Sequence, residues 1–581
     1  MTATFVVFEG IDGSGKTTLS NRVAKALRER GLEVEHVREG GRFTSTTTQA
    51  IRELGRDARN LALTPRAELL LYAARDAQLL EETTRPALAR ADVVIADRYL
   101  YSAEVLARHG RGLAAEEVAH VIGAAGGGFQ PDLVILVDID PHVARARRRI
   151  AKIVTPDSRA PSRKGLAGAA LGHRLRAGYR ELAERDPSRW RVVDNSYGEL
   201  DRLVDELTLM IETARGDTAT AAPLASATAA TPELPAVHDA STALPAVHDA
   251  STALVAFLAW IDRQTPREPA LAAYFLGGLA GPGVDQRRHA LAALTPVVVA
   301  AGLRGLDDES SWQLREQLAD AAPEGIARSL GGLLLAQATG AAAERAERLR
   351  NRLEGVAPTG VLAAIDARDD DHAWALRDRS MSSQPDAAVA SVKRLDTARA
   401  WALRDAWLAL RGGETALDDP FLAARACESV SGVAGKRAWE LRARARGAAP
   451  VAAIHSTAGL LDERAWRWRS RWLERAPRAV MRSLWRLDDE RAFAARTAVF
   501  AHCKEAIDSM VGLSGDAAWR LREAASDLWP STVAKSLAPL TVEPRAHTLL
   551  ARLLARHPGH VSLWKHAAGI ALGAAVPMED R

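Results

Sequence analysis

Short, unbroken apolar runs mark the first third of the chain, at residues 5–8, 92–96 (DVVIA) and 133–138 (LVILVD). Between them, apolar residues recur at helical spacing over 17–30, 65–83 and 114–124. Strands apolar on both sides and separated by helices predict a parallel sheet with crossover helices, an α/β fold. The second half has a different period. Trp312, Trp374, Trp439, Trp466 and Trp519 are each followed eleven residues on by a proline (Pro323, Pro385, Pro450, Pro477, Pro530). Six further on stands a serine, and four beyond that a leucine. Weaker copies begin at Asp285, Glu347, Trp401, Phe493 and near His547, mostly 27 residues apart, with longer gaps around Glu347 and after Trp401. A helix, a proline-opened turn and a second helix fill that length, so the pattern predicts an all-α solenoid of nine or ten hairpins.

Between the two patterns, from Asp217 to Ala253, the chain is Ala, Thr, Ser and Pro and holds a perfect tandem decapeptide, LPAVHDASTA. Such a stretch cannot bury a core. The expected domains are therefore 1–216 (α/β), a 217–253 linker and 254–581 (helical repeats, HEAT-like). His238, Asp239, His248 and Asp249 could be imagined as metal ligands, but a duplicated tether is the simpler reading. At 581 residues more than one core is required. Net charge is +4, which gives no general case for nucleic acid. Two cysteines argue against a disulfide framework, and with no signal peptide and no long apolar run a soluble cytoplasmic protein is expected.

Chemistry concentrates in FEGIDGSGKTTL, which follows the first strand. Gly10, Gly15, Lys16 and Thr17 complete G-x-x-x-x-G-K-[ST]. Glycines let the backbone N–H groups of residues Gly10, Ile11, Asp12, Gly13, Ser14, Gly15, Lys16, Thr17 and Thr18 turn toward phosphates. Lys16 neutralises the outer ones, and the Thr17 hydroxyl can ligate Mg²⁺. Asp97 and Asp138 each close a strand at the edge where such a loop sits. Either could reach the metal or serve as a cap or surface carboxylate.

These residues, with TPRAELLLYAARDAQLLEETTRPAL, ADRYLYS, GRGL and PDLVILVDIDP, resemble the thymidylate kinases over about residues 1–214. The resemblance implies a P-loop nucleoside monophosphate kinase using ATP and Mg²⁺, with dTMP the simplest acceptor. It gives Asp12 the acceptor sugar, Asp97 and Arg98 the metal and the acceptor phosphate, Arg38 the same phosphate, and Tyr72 the base. A catalytic arginine is implied in the lid, among Arg145, Arg147, Arg148 and Arg149, then Arg159 and Arg163; Arg147 and Arg149 are assigned it. Base recognition departs from the family: Asp76 stands where an arginine is expected, with Arg75 displaced by one place, and Leu106 and Ala107 replace a Tyr-Gln pair. The alternative function is an ATP-binding switch that signals through the repeats.

For the array, residues 254–581 are expected to bind a protein partner or dock within the chain, with no membrane and no nucleic-acid role. The recurring tryptophans are expected to pack, while the off-frame Trp468, Trp472 and Trp485 are candidates for an exposed contact. An arginine follows each anchor by three residues, from Arg288 to Arg522. Acidic residues precede many anchors by four or five, so internal Arg–Asp pairing is expected.

Overall fold

The structure is a computed structural model that describes residues 3–38, 46–57, 59–60, 63–155, 170–196, 200–218, 247–331, 333 and 341–573. Five parallel strands, β1 (Thr4–Glu9), β2 (Val34–Arg38), β3 (Val93–Asp97), β4 (Leu133–Asp138) and β5 (Trp190–Asp194), lie in the order β2-β3-β1-β4-β5. The three central strands are buried along their whole length, which is why they read as unbroken apolar runs. The edge strands β2 and β5 carry polar residues at several positions and gave no comparable signal.

Register places the charged strand ends. Phe8 and Arg38 both pair with Asp97, and Asp138 pairs with Asp194. All the strands therefore deliver their last, charged residues to the same carboxyl edge. Helix α1 (Lys16–Glu29) and the helix Leu200–Thr218 cover one face, packing Leu19, Val23 and Leu27 with Leu203, Leu207 and Ile211 over β1 and β4. The helix expected over 65–83 runs from Pro65 to Leu79 and continues through a π-helical turn, Leu80–Thr84.

The repeats begin earlier than residue 254. Asp249 accepts the backbone N–H of Thr252 at 2.8 Å, and the Thr252 hydroxyl accepts that of Asp249, a reciprocal cap that starts a helix at Ala250. The end of the second decapeptide thus belongs to the array. Residues 219–246 lie outside the described residues. Among the described residues from Ala250 to Ala571 the regular elements are all helical, and each frame proline opens the second helix of its hairpin, as in Pro323–Ser329 and Pro477–Ser483. The long gap after Trp401 holds an inserted 3₁₀ turn, Gly413–Asp418. The first helix of the array, Ala250–Gln264, packs along its last, Val561–Ala571, so the series of hairpins closes end to end. No helix among the described residues is long and apolar enough to cross a membrane.

All five frame tryptophans are buried. The recurring arginines are buried too, but the expected Arg–Asp pairing is corrected by the structure. Among the described residues, only Arg288 and Arg350 of the nine pair with a carboxylate, each three residues back. The others point their guanidinium groups at main-chain carbonyls. Arg469 donates to Thr457 O (2.7 Å), Leu460 O (2.8 Å) and the Ser483 hydroxyl (3.1 Å). Arg315, Arg377, Arg496 and Arg522 repeat the pattern, and each lies over its own anchor ring at 4.6 to 5.0 Å. The acids do other work. Asp308, Asp370, Asp462 and Asp489 cap the anchor helices, while Asp307, Asp369 and Asp396 accept the indole N–H of Trp312, Trp374 and Trp401. Nor are the off-frame tryptophans free on the surface. Trp468 lies edge-on to Trp439 at 5.4 Å, Trp472 packs on the core around Met481, and Trp485 is half-buried.

Arg469→Ala leaves three acceptors without their donor and empties buried volume. It is expected to cost about 3–5 kcal/mol, read as a lower denaturation midpoint by tryptophan fluorescence, since every tryptophan but Trp190 lies in the array. Arg469→Lys should recover less than half, because one ammonium cannot face three separated acceptors. An unchanged midpoint in Arg469→Ala would refute the clamp.

Candidate active site

The loop between β1 and α1 is shaped by close approach. Gly10, Gly13 and Gly15 have φ of 145°, 93° and 87°. A Cβ on Gly10 would stand 2.6 Å from Val137 O, one on Gly13 2.3 Å from Ala144 O, and one on Gly15 2.5 Å from the Asn195 amide. Only glycine fits these places. Asn195, just past β5, fastens the loop by donating to Ser14 O at 2.7 Å. Gly15 is the N-cap of α1, so the helix begins with its N–H groups facing the loop. Lys16 is buried, its ammonium 3.5 Å from Ile11 O and 4.0 Å from Asp12. The buried Ser14 hydroxyl has no hydrogen-bond partner among the described residues. These features fit a phosphate chain wrapped by backbone.

Next to the loop, Thr17 donates to Asp97 Oδ2 at 2.5 Å, while the buried Asp97 Oδ1 is unpartnered among the described residues. A hydroxyl beside a half-satisfied buried carboxylate is a donor set that suits a hard cation. Arg38 approaches the same carboxylate at 3.9 Å from the end of β2.

Arg98 occupies a left-handed backbone conformation, φ 84°, that a side chain rarely adopts. Its guanidinium donates to Gly10 O (3.2 Å), Ser102 Oγ (2.8 Å), Tyr179 OH (3.3 Å) and Asp12. Burial alone would lower its pKa. Asp12, Tyr179, Glu9 and Asp97 reverse this and hold it charged, above the usual arginine value. Behind it, Glu9 at the end of β1 is fully buried and accepts Tyr99 N (2.9 Å), Ser102 Oγ (2.7 Å) and Tyr179 OH (3.1 Å). Burial raises its pKa, with Arg98 the main opposing charge. A cation thus spans from the phosphate loop to the sheet and stays charged without solvent.

These observations agree with comparison to known proteins. A family model described as thymidylate kinase matches residues 8–204. The thymidylate kinase of Solidesulfovibrio magneticus is 38% identical over 191 residues, covering 33% of this chain and 90% of that one. That of Bifidobacterium longum is 39% identical over 199 residues, 34% and 91% of the two chains. A solved thymidylate kinase from Ehrlichia chaffeensis aligns at 22% identity over 36% of this chain and 99% of its own, TM-score 0.28. The chain belongs to the thymidylate kinase family. It is a nucleoside monophosphate kinase, with a helical array that these relatives do not share.

Within this thymidylate kinase fold, Gly10 to Thr18, Asp97, Arg98 and Arg38 lie together at the carboxyl edge of the sheet. Arg147, on the helix Pro141–Val154, donates to Asn195 O at 2.9 Å beside Gly15. Arg145 and Arg149 lie half-buried and Arg148 exposed on the same helix, whereas Arg159 and Arg163 lie outside the described residues. Asp138 is taken by Arg176, which forks onto it with two 2.7 Å bonds, so it serves as an ion-pair partner. Tyr72 is buried under the Arg75 guanidinium at 4.8 Å, and Arg75 pairs with Asp76 at 2.6 Å. Leu106 and Ala107 are buried in a π-helical turn, with Ala107 packed against Leu69 and Val118.

Glu9, Ser102, Tyr179 and Asn195 were not foreseen. Glu9 sits inside the most legible motif of the chain, but a carboxylate after four apolar residues looks like the end of a strand. Tyr179 and Asn195 are far away in sequence and join the site only through the sheet order.

Gly13→Ala should fold yet lose nucleotide binding, because its Cβ collides with the Ala144 carbonyl that supports the loop; calorimetric titration with ATP checks this. Arg98→Lys should lower kcat/KM by about 10²-fold or more, since a single ammonium loses the forked donors. Near wild-type turnover would remove Arg98 from the site.

Proposed function

We propose that this enzyme transfers the γ-phosphoryl group of ATP to dTMP, forming dTDP, and that its array is an interaction module. The observation that carries the reading is Arg98, which stands one hydrogen bond from the P-loop carbonyl of Gly10 and from Asp12, where an acceptor phosphate would face the donor. Identity of 38–39% to proteins named thymidylate kinases supports the choice of acceptor.

The loop N–H groups and Lys16 hold the β- and γ-phosphates. Arg98, helped by Arg38, holds the acceptor phosphate, and Asp12 faces the acceptor sugar. Arg147 and Arg149 supply further positive charge from the lid helix. Thr17 and Asp97 would hold Mg²⁺, which when bound adds positive charge to the phosphate oxygens. Catalysis then consists of aligning two anions and neutralising charge as it spreads over the transferred group. Base selection is the loose part. Asp76 is committed to Arg75, and Leu106 and Ala107 offer no side-chain hydrogen bond, so a wrong pyrimidine leaves few groups unpaired.

Three outcomes are expected from a coupled assay over nucleoside monophosphates. Lys16→Ala should abolish transfer, and chelation of Mg²⁺ should do so reversibly. Discrimination between dTMP and other pyrimidine monophosphates should stay well below about 10⁴-fold. No turnover with any monophosphate, beside intact ATP binding, would replace this reading with that of an ATP-dependent switch.

A further inference from the structure

Arg98 is held from two sides that differ in kind. On one side is Asp12, carried by the glycine-rich loop and with its side chain 42% exposed. On the other is Glu9, fully buried at the end of β1, whose Oε2 lies 3.9 Å from Arg98 Nη1, too far for a direct hydrogen bond. Two hydroxyls fill that gap. Ser102 Oγ is 2.8 Å from Nη1 and 2.7 Å from Glu9 Oε2, and Tyr179 OH is 3.3 Å from Nη1 and 3.1 Å from the same carboxylate oxygen. The two hydroxyl oxygens stand 2.9 Å apart, which closes the cluster.

The donor inventory gives this cluster a direction. A guanidinium has hydrogens to donate and no acceptor, so both hydroxyls accept from Arg98 and each keeps its own hydrogen for Glu9. Glu9 also takes the Tyr99 N–H at Oε1. Burial, and then the Glu9 charge, push the Tyr179 pKa well above its ordinary value, so this hydroxyl retains the hydrogen that the relay needs.

Tyr179 differs from its partners in origin. Glu9 ends β1, and Arg98 and Ser102 follow β3, its neighbour in the sheet, whereas Tyr179 stands 81 residues beyond Arg98 on the helix Ala170–Arg185. That helix is pinned separately, since Arg176, one turn before Tyr179, forks onto Asp138 at the end of β4. The Tyr179 ring is buried, and among the described residues its hydroxyl bonds to Arg98, Ser102 and Glu9 alone. Packing by itself would be served by phenylalanine; the hydroxyl is there for this cluster.

We propose, on the reading that Arg98 grips the acceptor phosphate, that Tyr179 is a positioning residue for phosphoryl transfer. Its hydroxyl links Glu9 to Arg98 and keeps the guanidinium plane fixed while Asp12 is engaged by the acceptor sugar. Held by Asp12 alone, the fork would follow the loop, and a displacement of about 1 Å at such a group costs about 10²-fold in rate.

A double-mutant cycle in the full chain tests this, measured as kcat/KM for whichever nucleoside monophosphate is turned over best, so that base preference does not enter. Tyr179→Phe is expected to lower that value about tenfold while ATP affinity, read by calorimetry, changes less than about twofold. In an Arg98→Lys background the same substitution should cost less than about twofold, because the fork it positions is gone. Ser102→Ala, which removes the other hydroxyl, should show the same dependence on Arg98 and carries the test if Tyr179→Phe does not fold. Equal losses in both backgrounds would make Tyr179 a packing residue and overturn the proposal, as would an unchanged kcat/KM in Tyr179→Phe. Near wild-type turnover in Arg98→Lys alone would instead remove the reading of Arg98, and the role of Tyr179 with it.

Discussion

A buried guanidinium surrounded by oxygen atoms is the interaction on which both halves of this chain rest. Removing such a charge from water costs several kcal/mol unless acceptors replace the lost hydration. Arginine, with five donors in a rigid fork, can be satisfied by groups from several segments at once. In the kinase Arg98 takes oxygens from the P-loop, from the helix after β3 and from Tyr179. In the array each clamp arginine takes the carbonyls that end one hairpin and the serine of its own second helix. The first arrangement holds a charge ready for an anion, and the second spends it on backbone groups that short helices leave unpaired.

That difference shows in the electrostatics. Carboxylates around Arg98 hold its pKa above normal, whereas the array arginines, facing neutral carbonyls, are depressed to about 10 for Arg469, burial being the largest cause. Both remain charged at neutral pH. Only at Arg98 does the backbone also adopt a disfavoured conformation. The sheet register over-determines it, since Arg98 N is tied to Phe8 O at 3.0 Å directly after the Phe8–Asp97 pair.

How much of this was legible depended on whether the partner was a residue type or a backbone atom. The P-loop, three buried strands and the hairpin period were readable because glycine, proline and apolar spacing have direct conformational meaning. The edge strands β2 and β5 were not, for an edge exposes polar residues that erase the apolar run. The arginine ladder was visible, but its partners were misassigned: Asp462 lies at the right spacing for an ion pair and serves as a helix cap instead. An aspartate near a helix start is wanted in either role, and carbonyls carry no letter in the sequence. The same blindness hid Glu9 and Asn195, whose functions follow from strand order alone.

A repeat supplies its own control for separating fold from function. The clamp arginine recurs in unit after unit because every hairpin has the same carbonyls to satisfy, so its presence says nothing of a ligand. The fifth position after the frame proline behaves differently: Ala390, Arg425, His455 and Arg482 stand there in successive units, while Arg377, Arg404, Arg442 and Arg469 all keep their bonds to backbone carbonyls. A position that accepts alanine, arginine and histidine alike is not what holds the hairpin together, so the clamp, and not that row, is what the repeat specifies.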